Sequence, residues 1–223
     1  MLRFPILLTN DDGINSPGLQ HLASSLHSLG HPIAILAPLT EQSAVGMKLT
    51  LRDDMAFEEH TDIAEKIRTD ESAPLRVFSL DGSPCDCVIV AIDGGLRSLA
   101  PEIRPWLCIS GINRGPNLSI DVLHSGTVSA AREASLYGLP SLSVSLATYS
   151  HQDYSQSIEA TLALVERLSH LVTAEPSNIL RPEGSRMRPI SGTGTNSLRS
   201  WFMQGNMFLN LNIPENWNGT FQT

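Results

Sequence analysis

Residues Ile6–Gly13 read ILLTNDDG, and this stretch restricts the fold more than any other. Ile6, Leu7, Leu8 and Thr9 form a short β-prone run. It breaks into Asn10, two adjacent aspartates and a glycine. Such a run is a buried strand ending in a polar turn. In an open parallel sheet, ligands bind beyond the carboxyl ends of the strands. Asp11 and Asp12 therefore stand where such a fold does its chemistry. Neighbouring carboxylates repel unless a cation lies between them or one takes up a proton. A hard divalent cation with oxygen ligands resolves the repulsion. The alternative is a solvated Asx turn, with Asp-Gly present for its geometry.

The next segments fix the class. Ser16 and Pro17 suit the cap and first position of a helix through Leu19, Leu22, Ala23, Leu26 and Leu29, with Gly30 as its stop. Pro32–Ala37 is a second buried strand. Strand, helix, strand makes a crossover unit with parallel strands. Leu75–Leu80, Trp106–Ile109 and Ser141–Leu146 read as further strands. Between them, Ser83 and Pro84 open a helix carrying Asp86 in its first turn. His124–Thr127 opens another that runs to Tyr137. Tyr154–Leu171 has helical spacing, and Met207–Ile213 alternates as a half-exposed strand. The expected fold is α/β with a mostly parallel sheet. Residues 1–150 form the metal- and phosphate-binding core. Residues 151–223 add a helix, an irregular loop (Thr173–Ser200) and a strand that complete the same domain.

Three other stretches bear on a site. Pro38–Gly46 is a loop at the carboxyl end of the second strand, which topology brings beside Asp11 and Asp12; it carries Ser43. Ser110–Asn117, SGINRGPN, reads as a glycine- and asparagine-rich loop at a strand's end. Asn113 there supplies a neutral oxygen, and Arg114 is either a phosphate partner or an ordinary exposed arginine. Ser125, Gly126 and Thr127 place free backbone N–H groups at a helix start, an arrangement that binds anions. Simple N-capping is the alternative. A bulky residue at Gly126 is then expected to weaken phosphate binding and spare metal affinity. Lys48–Arg52 alternates like an exposed strand. Asp53–Pro74 is charged and irregular, and is expected to close over the site together with Pro38–Gly46.

A formal charge of -8 argues against nucleic-acid backbone as a partner. A small phosphate would then need a metal or local backbone donors. Cys85, Cys87 and Cys108 are an odd set without CxxC spacing, which suits a reducing compartment, and the first two read as packing residues. With no run of transmembrane length, the expectation is a cytoplasmic protein without membrane contact.

Together NDDG, EQSAVG, DGSPCDC, SGINRGPN and HSGTVSAAREA resemble the SurE family of survival-protein nucleotidases, in order over Leu2–Leu146 and again at Leu209–Pro214. Members have a Rossmann-like three-layer core; they are metal-dependent phosphatases of nucleoside 5′- and 3′-monophosphates, some also acting on polyphosphate, and they assemble as dimers or tetramers. The resemblance implies a divalent metal, Mg2+ or Mn2+, on Asp11, Asp12, Ser43 and Asn113. It makes Asp11, Asp12 and Asn113 the catalytic set. It implies phosphate contacts from Asn10, Gly111, Asn117, Ser125, Gly126 and Thr127. His124 stands where members often carry a tyrosine, and members continue beyond the segment matching Leu209–Pro214. An aspartyl-phosphate mechanism is a rival, but the adjacent DD lacks the DxD layout and no matching lysine loop is evident. A non-catalytic nucleotide- or metal-binding scaffold is the rival of another class.

Overall fold

The computed structural model describes residues 2–171 and 198–222. Its centre is a seven-stranded sheet: β1 (Ile6–Thr9), β2 (Ile33–Pro38), β3 (Phe57–Glu59), β4 (Leu75–Leu80), β5 (Leu107–Arg114), β6 (Ser141–Leu146) and β7 (Leu209–Ile213). The spatial order is β3-β4-β2-β1-β5-β6-β7. All pairings are parallel except that of the edge strand β3 with β4. Leaving that edge aside, the order is that of a dinucleotide-binding fold, whose chain reverses direction between β1 and β5.

Strand alternation divides the core into two layers. Ile6 and Leu8 of β1 and Ile33 and Ile35 of β2 face one side. There they meet helix α1 (Pro17–Ser28), helix α2 (Thr61–Ile67) and, after helices α3 to α6, helix α7 (Ser155–Ser169). Leu7, Ala34 and Leu36 face the other side. That layer holds α3 (Pro84–Val90), a π-turn at Ala91–Gly95, α4 (Leu96–Leu99) and α6 (Gly126–Leu136), which follows the short α5 (Asp121–His124). Each buried leucine or isoleucine among these contributes roughly 1.5–3 kcal/mol. Helix α8 (Leu198–Met203) buries Phe202 on the first layer, and β7 adds to β6 in parallel register.

The capping residues sit as the sequence indicates. Ser16 accepts from the Leu19 N–H at 3.4 Å, and Pro17 occupies the first helical turn. Ser83 and Asp86 form a reciprocal capping box at the start of α3. Cys85, Cys87 and Cys108 are buried and not joined in disulfides.

Four expectations need correction. Lys48–Arg52 is not a strand. The Thr50 N–H and hydroxyl bond instead to the Asp86 carboxylate, at 3.0 and 2.8 Å, and the Ser83 hydroxyl donates to the Lys48 carbonyl. Polar side chains from the start of α3 thereby satisfy backbone that a sheet edge would otherwise pair. Asp53–Pro74 is not an irregular cover. It supplies β3 and α2, and Ile63, Ala64 and Ile67 of α2 are buried in the α1 layer. Ser110–Asn117 is not wholly loop, because β5 continues to Arg114 with a register shift against β6 between Ser110 and Asn113. The expected loop Thr173–Ser200 lies outside the described residues as far as 197, and Leu198–Ser200 belong to α8.

Candidate metal and phosphate site

The reversal between β1 and β5 opens a crevice at the carboxyl ends of both strands, and the turn after β1 is built to fill it. Asn10 is fully buried. Its Oδ1 accepts from the Gly13 N–H at 3.2 Å, and its Nδ2 donates to the Gly13 carbonyl and the Ser16 hydroxyl at 3.0 and 2.7 Å. This side chain ties strand end, turn and helix start together, and it has no polar group left for a ligand. Asn10 is therefore a builder of the site, with both amide donors engaged in the turn. The turn presents Asp11 and Asp12 to a cavity of about 640 Å³. The β2 loop is pinned alongside: the Gln42 N–H donates to the Asp11 carbonyl at 2.7 Å, and the Ile14 N–H to the Pro38 carbonyl at 2.8 Å. Ser43 thus lines the same cavity, with its hydroxyl on the Glu41 carboxylate at 2.6 Å.

Asn113 enters from the end of β5. Its Nδ2 donates to the Gly115 carbonyl at 2.8 Å, which leaves Oδ1 turned towards the carboxylates. The Thr127 hydroxyl links the two strands' contributions. It bonds to the Asp11 carboxylate and lies 3.4 Å from Asn113 Oδ1. The backbone N–H groups of Thr127 and Gly126 also favour the charged form of Asp11. Burial outweighs them, and the Asp11 carboxyl is raised above its ordinary value. Asp12 is pushed up to about 7, chiefly by burial and then by the charge of Asp11, against a bond from the Arg114 backbone N–H.

The helix start at Ser125–Thr127 lies against Asp11, whose carboxylate accepts from the Thr127 hydroxyl. Ser125 caps α6 by accepting from the Val128 N–H at 3.1 Å, and it lines the cavity. Thr127 is fully buried behind Asp11. A Cβ on Gly126 would stand 2.7 Å from Asp11 Cβ, so glycine here is what allows the carboxylate to approach the helix. A bulky residue at Gly126 would press on Asp11, so metal affinity is expected to fall together with phosphate binding. Gly111 is buried inside β5 and does not line the cavity. Asn117 does line it. Its N–H donates to Asn212 Oδ1 and its Nδ2 to the Ser145 hydroxyl, both at 2.8 Å, and its carbonyl accepts from Asn210. These bonds fasten the Asn117 loop to β6 and β7.

Among the described residues, none from 53–74 lines the cavity. Its walls include residues that the sequence did not single out: Glu41, Asp121, Tyr149, Gln152 and Tyr154. Tyr154 is buried beside Asp12, and its phenol is raised by burial and by that carboxylate. A tyrosine at a helix start with core spacing carries no sequence signal for such a place. Arg114 also lines the cavity, its guanidinium donating to the Tyr149 carbonyl at 3.3 Å. Four carboxylates (Asp11, Asp12, Glu41 and Asp121) thus face one guanidinium.

A divalent metal fits this donor set. Two carboxylates, an amide oxygen oriented by its own Nδ2 anchor and a hydroxyl are the hard oxygen ligands that Mg2+ and Mn2+ prefer. The raised Asp11 and Asp12 carboxyls are those of a cluster that gains by taking a cation.

The family model for survival protein SurE matches residues 6–223. The 5′-nucleotidase SurE of Syntrophotalea carbinolica is 43% identical over 166 residues, covering 74% of this chain and 59% of that protein. Its counterpart from Synechococcus elongatus is 41% identical over 165 residues, with the same coverage. The match thus spans about three fifths of these relatives' length. The crystal structure of SurE protein from Aquifex aeolicus superposes with a TM-score of 0.64 at 28% identity, over 95% of this chain and 66% of that one.

Proposed function

Because the chain belongs to the SurE family, we propose that it hydrolyses nucleoside 5′- and 3′-monophosphates to nucleoside and phosphate with a bound divalent metal, Mg2+ or Mn2+. The observation that carries this reading is the convergence of Asp11, Asp12, Ser43 and Asn113 on one cavity at the reversal point of the sheet. These four residues would hold the metal, with Asp11, Asp12 and Asn113 closest to the chemistry. The metal would polarise a phosphoryl oxygen and lower the pKa of water near it. The protein's own part is positioning. The Thr127 hydroxyl fixes Asp11, and the Gly115 carbonyl fixes the Asn113 amide. The Arg114 guanidinium, Ser125 and Asn117 lie on the cavity wall, where a phosphate would meet them. His124 lines the same wall and is the candidate donor of the proton that the leaving alkoxide takes up.

A dimer or tetramer in the cytoplasm completes the proposal. Three buried cysteines outside any disulfide support a reducing compartment. Among the described residues no helix is long and apolar enough to cross a membrane. The test is phosphate release from AMP by the metal-stripped protein before and after Mn2+ or Mg2+ is restored. Release that requires the metal supports the reading. No release with either metal, from AMP or from 3′-AMP, overturns it.

A further inference from the structure

The wall of the cavity that carries Tyr149 has a different chemistry from the wall that carries the carboxylates. Tyr149 is 66% exposed on that wall. The ring nevertheless has a fixed seat. Gly115, at φ +105°, lies directly under it, and a Cβ there would come within 2.2–2.5 Å of the ring carbons and hydroxyl. The residue's carbonyl is held by the Arg114 guanidinium at 3.3 Å. Gly115 in turn donates its N–H to the Leu146 carbonyl at 2.9 Å and accepts from Asn113 Nδ2 at 2.8 Å. The ring thus rests on the same glycine that orients the amide of the metal site. The hydroxyl end of the ring lies against Gly115, and the residue stays largely open. Gln152, exposed and three residues on, brings an amide donor and acceptor to the same wall.

We propose that Tyr149 is the stacking platform for the nucleobase of the substrate, with the Gln152 amide placed to meet the base edge. The inference rests on the nucleotidase reading, and adds to it the part of the substrate that lies away from phosphorus. A cavity of about 640 Å³ is large enough for a whole nucleoside monophosphate and larger than a phosphate requires. An aromatic platform accepts purines and pyrimidines alike, because every base has a π face. Tyr149 would therefore favour nucleotides over sugar phosphates, with weak preference among bases.

The test pairs AMP with ribose 5-phosphate, which keeps the phosphate and sugar and lacks the base. Hydrolysis with Mn2+ and calorimetric binding are measured for the wild type, Tyr149→Ala and Tyr149→Phe. Tyr149→Ala should raise the KM and the Kd for AMP about tenfold, with kcat within about twofold. Both constants for ribose 5-phosphate should stay unchanged, and Tyr149→Phe should behave as wild type. An unchanged Kd for AMP in Tyr149→Ala overturns the proposal whether or not the protein hydrolyses anything. So does an equal loss for ribose 5-phosphate, which would make the residue a support for the phosphate end. If neither ester is hydrolysed but Tyr149→Ala still binds AMP tenfold more weakly, the hydrolase reading falls and the platform stands.

Discussion

Helices α3 and α6 start alike and end up with opposite tasks. Each begins with a serine cap, and each holds a carboxylate over its first backbone N–H groups. At α3 the carboxylate is the helix's own Asp86, closed in a box with Ser83 and sealed from outside by Thr50. At α6 the first turn has no acidic residue, and the carboxylate is imported from Asp11, at the end of β1. A self-contained cap stabilises a helix and is finished. An imported one leaves a desolvated carboxylate beside Asp12 and facing a cavity, with part of its valence unspent. Where the anion comes from thus decides whether a helix start is a brace or a binding site.

The comparison breaks if substitutions at the two starts behave alike. The largest effect is expected for Asp11→Asn, which should cut metal-dependent phosphate release by about a thousandfold or more. The apo protein should stay folded, as circular dichroism and the melting temperature would show. A near-normal rate would remove Asp11 from the site. Next comes Gly126→Ala, whose Cβ meets Asp11. It should weaken Mn2+ binding by calorimetry about 100-fold and lower activity in step. Lost activity with intact metal affinity would mean that the helix start serves substrate directly.

Thr127→Val keeps the shape of the side chain and removes the hydroxyl that reaches Asp11 and Asn113. Metal affinity should fall about tenfold, and Asp11 should need a higher pH to ionise. At the other start, Asp86→Ala should cost about 1–2 kcal/mol in urea unfolding and leave kcat within about twofold. A large loss of activity there would dissolve the distinction between brace and site. The smallest effect concerns pH. Asp12 is raised from 3.8 to about 7, so the folded apo protein holds its proton more tightly than the unfolded chain does. The stability this contributes is present in full below pH 4 and is lost as the pH rises to about 7. The apo melting temperature should fall by a few degrees from this source between pH 5 and 8. That fall should shrink in Asp12→Asn.

What the sequence makes legible is whatever a few neighbouring residues decide. Ile6–Thr9, Leu75–Leu80 and Ser141–Leu146 are strands by apolar run and punctuation, and Ser16, Ser83 and Ser125 are caps by their position before a helix. What misleads is decided at a distance. Phe57–Glu59 is exposed throughout and looks like loop until β4 pairs with it. Ser110–Arg114 has loop composition, and its place between β1 and β6 makes it strand. In the site, the motif locates Asp11 and Asp12 beyond β1, but it says nothing of where hydrogen bonds go. Asn10 spends its amide on the turn, and Thr127 faces a carboxylate instead of the cavity. Tyr149 and Tyr154 have no motif at all, because only the closing of the loop after β6 brings them to the wall.

The bond between Thr127 and Asp11 joins residues 116 apart in sequence. No fragment that stops short of α6 can form it, and a chain still emerging from synthesis has the DD motif long before it has the pocket. Whatever binds there binds the finished protein and not its precursors. At a hundred times its Kd such a ligand adds about 2.7 kcal/mol to the folded state. The supply of that ligand thereby becomes a determinant of how long each molecule survives proteolysis, independent of how often it turns over.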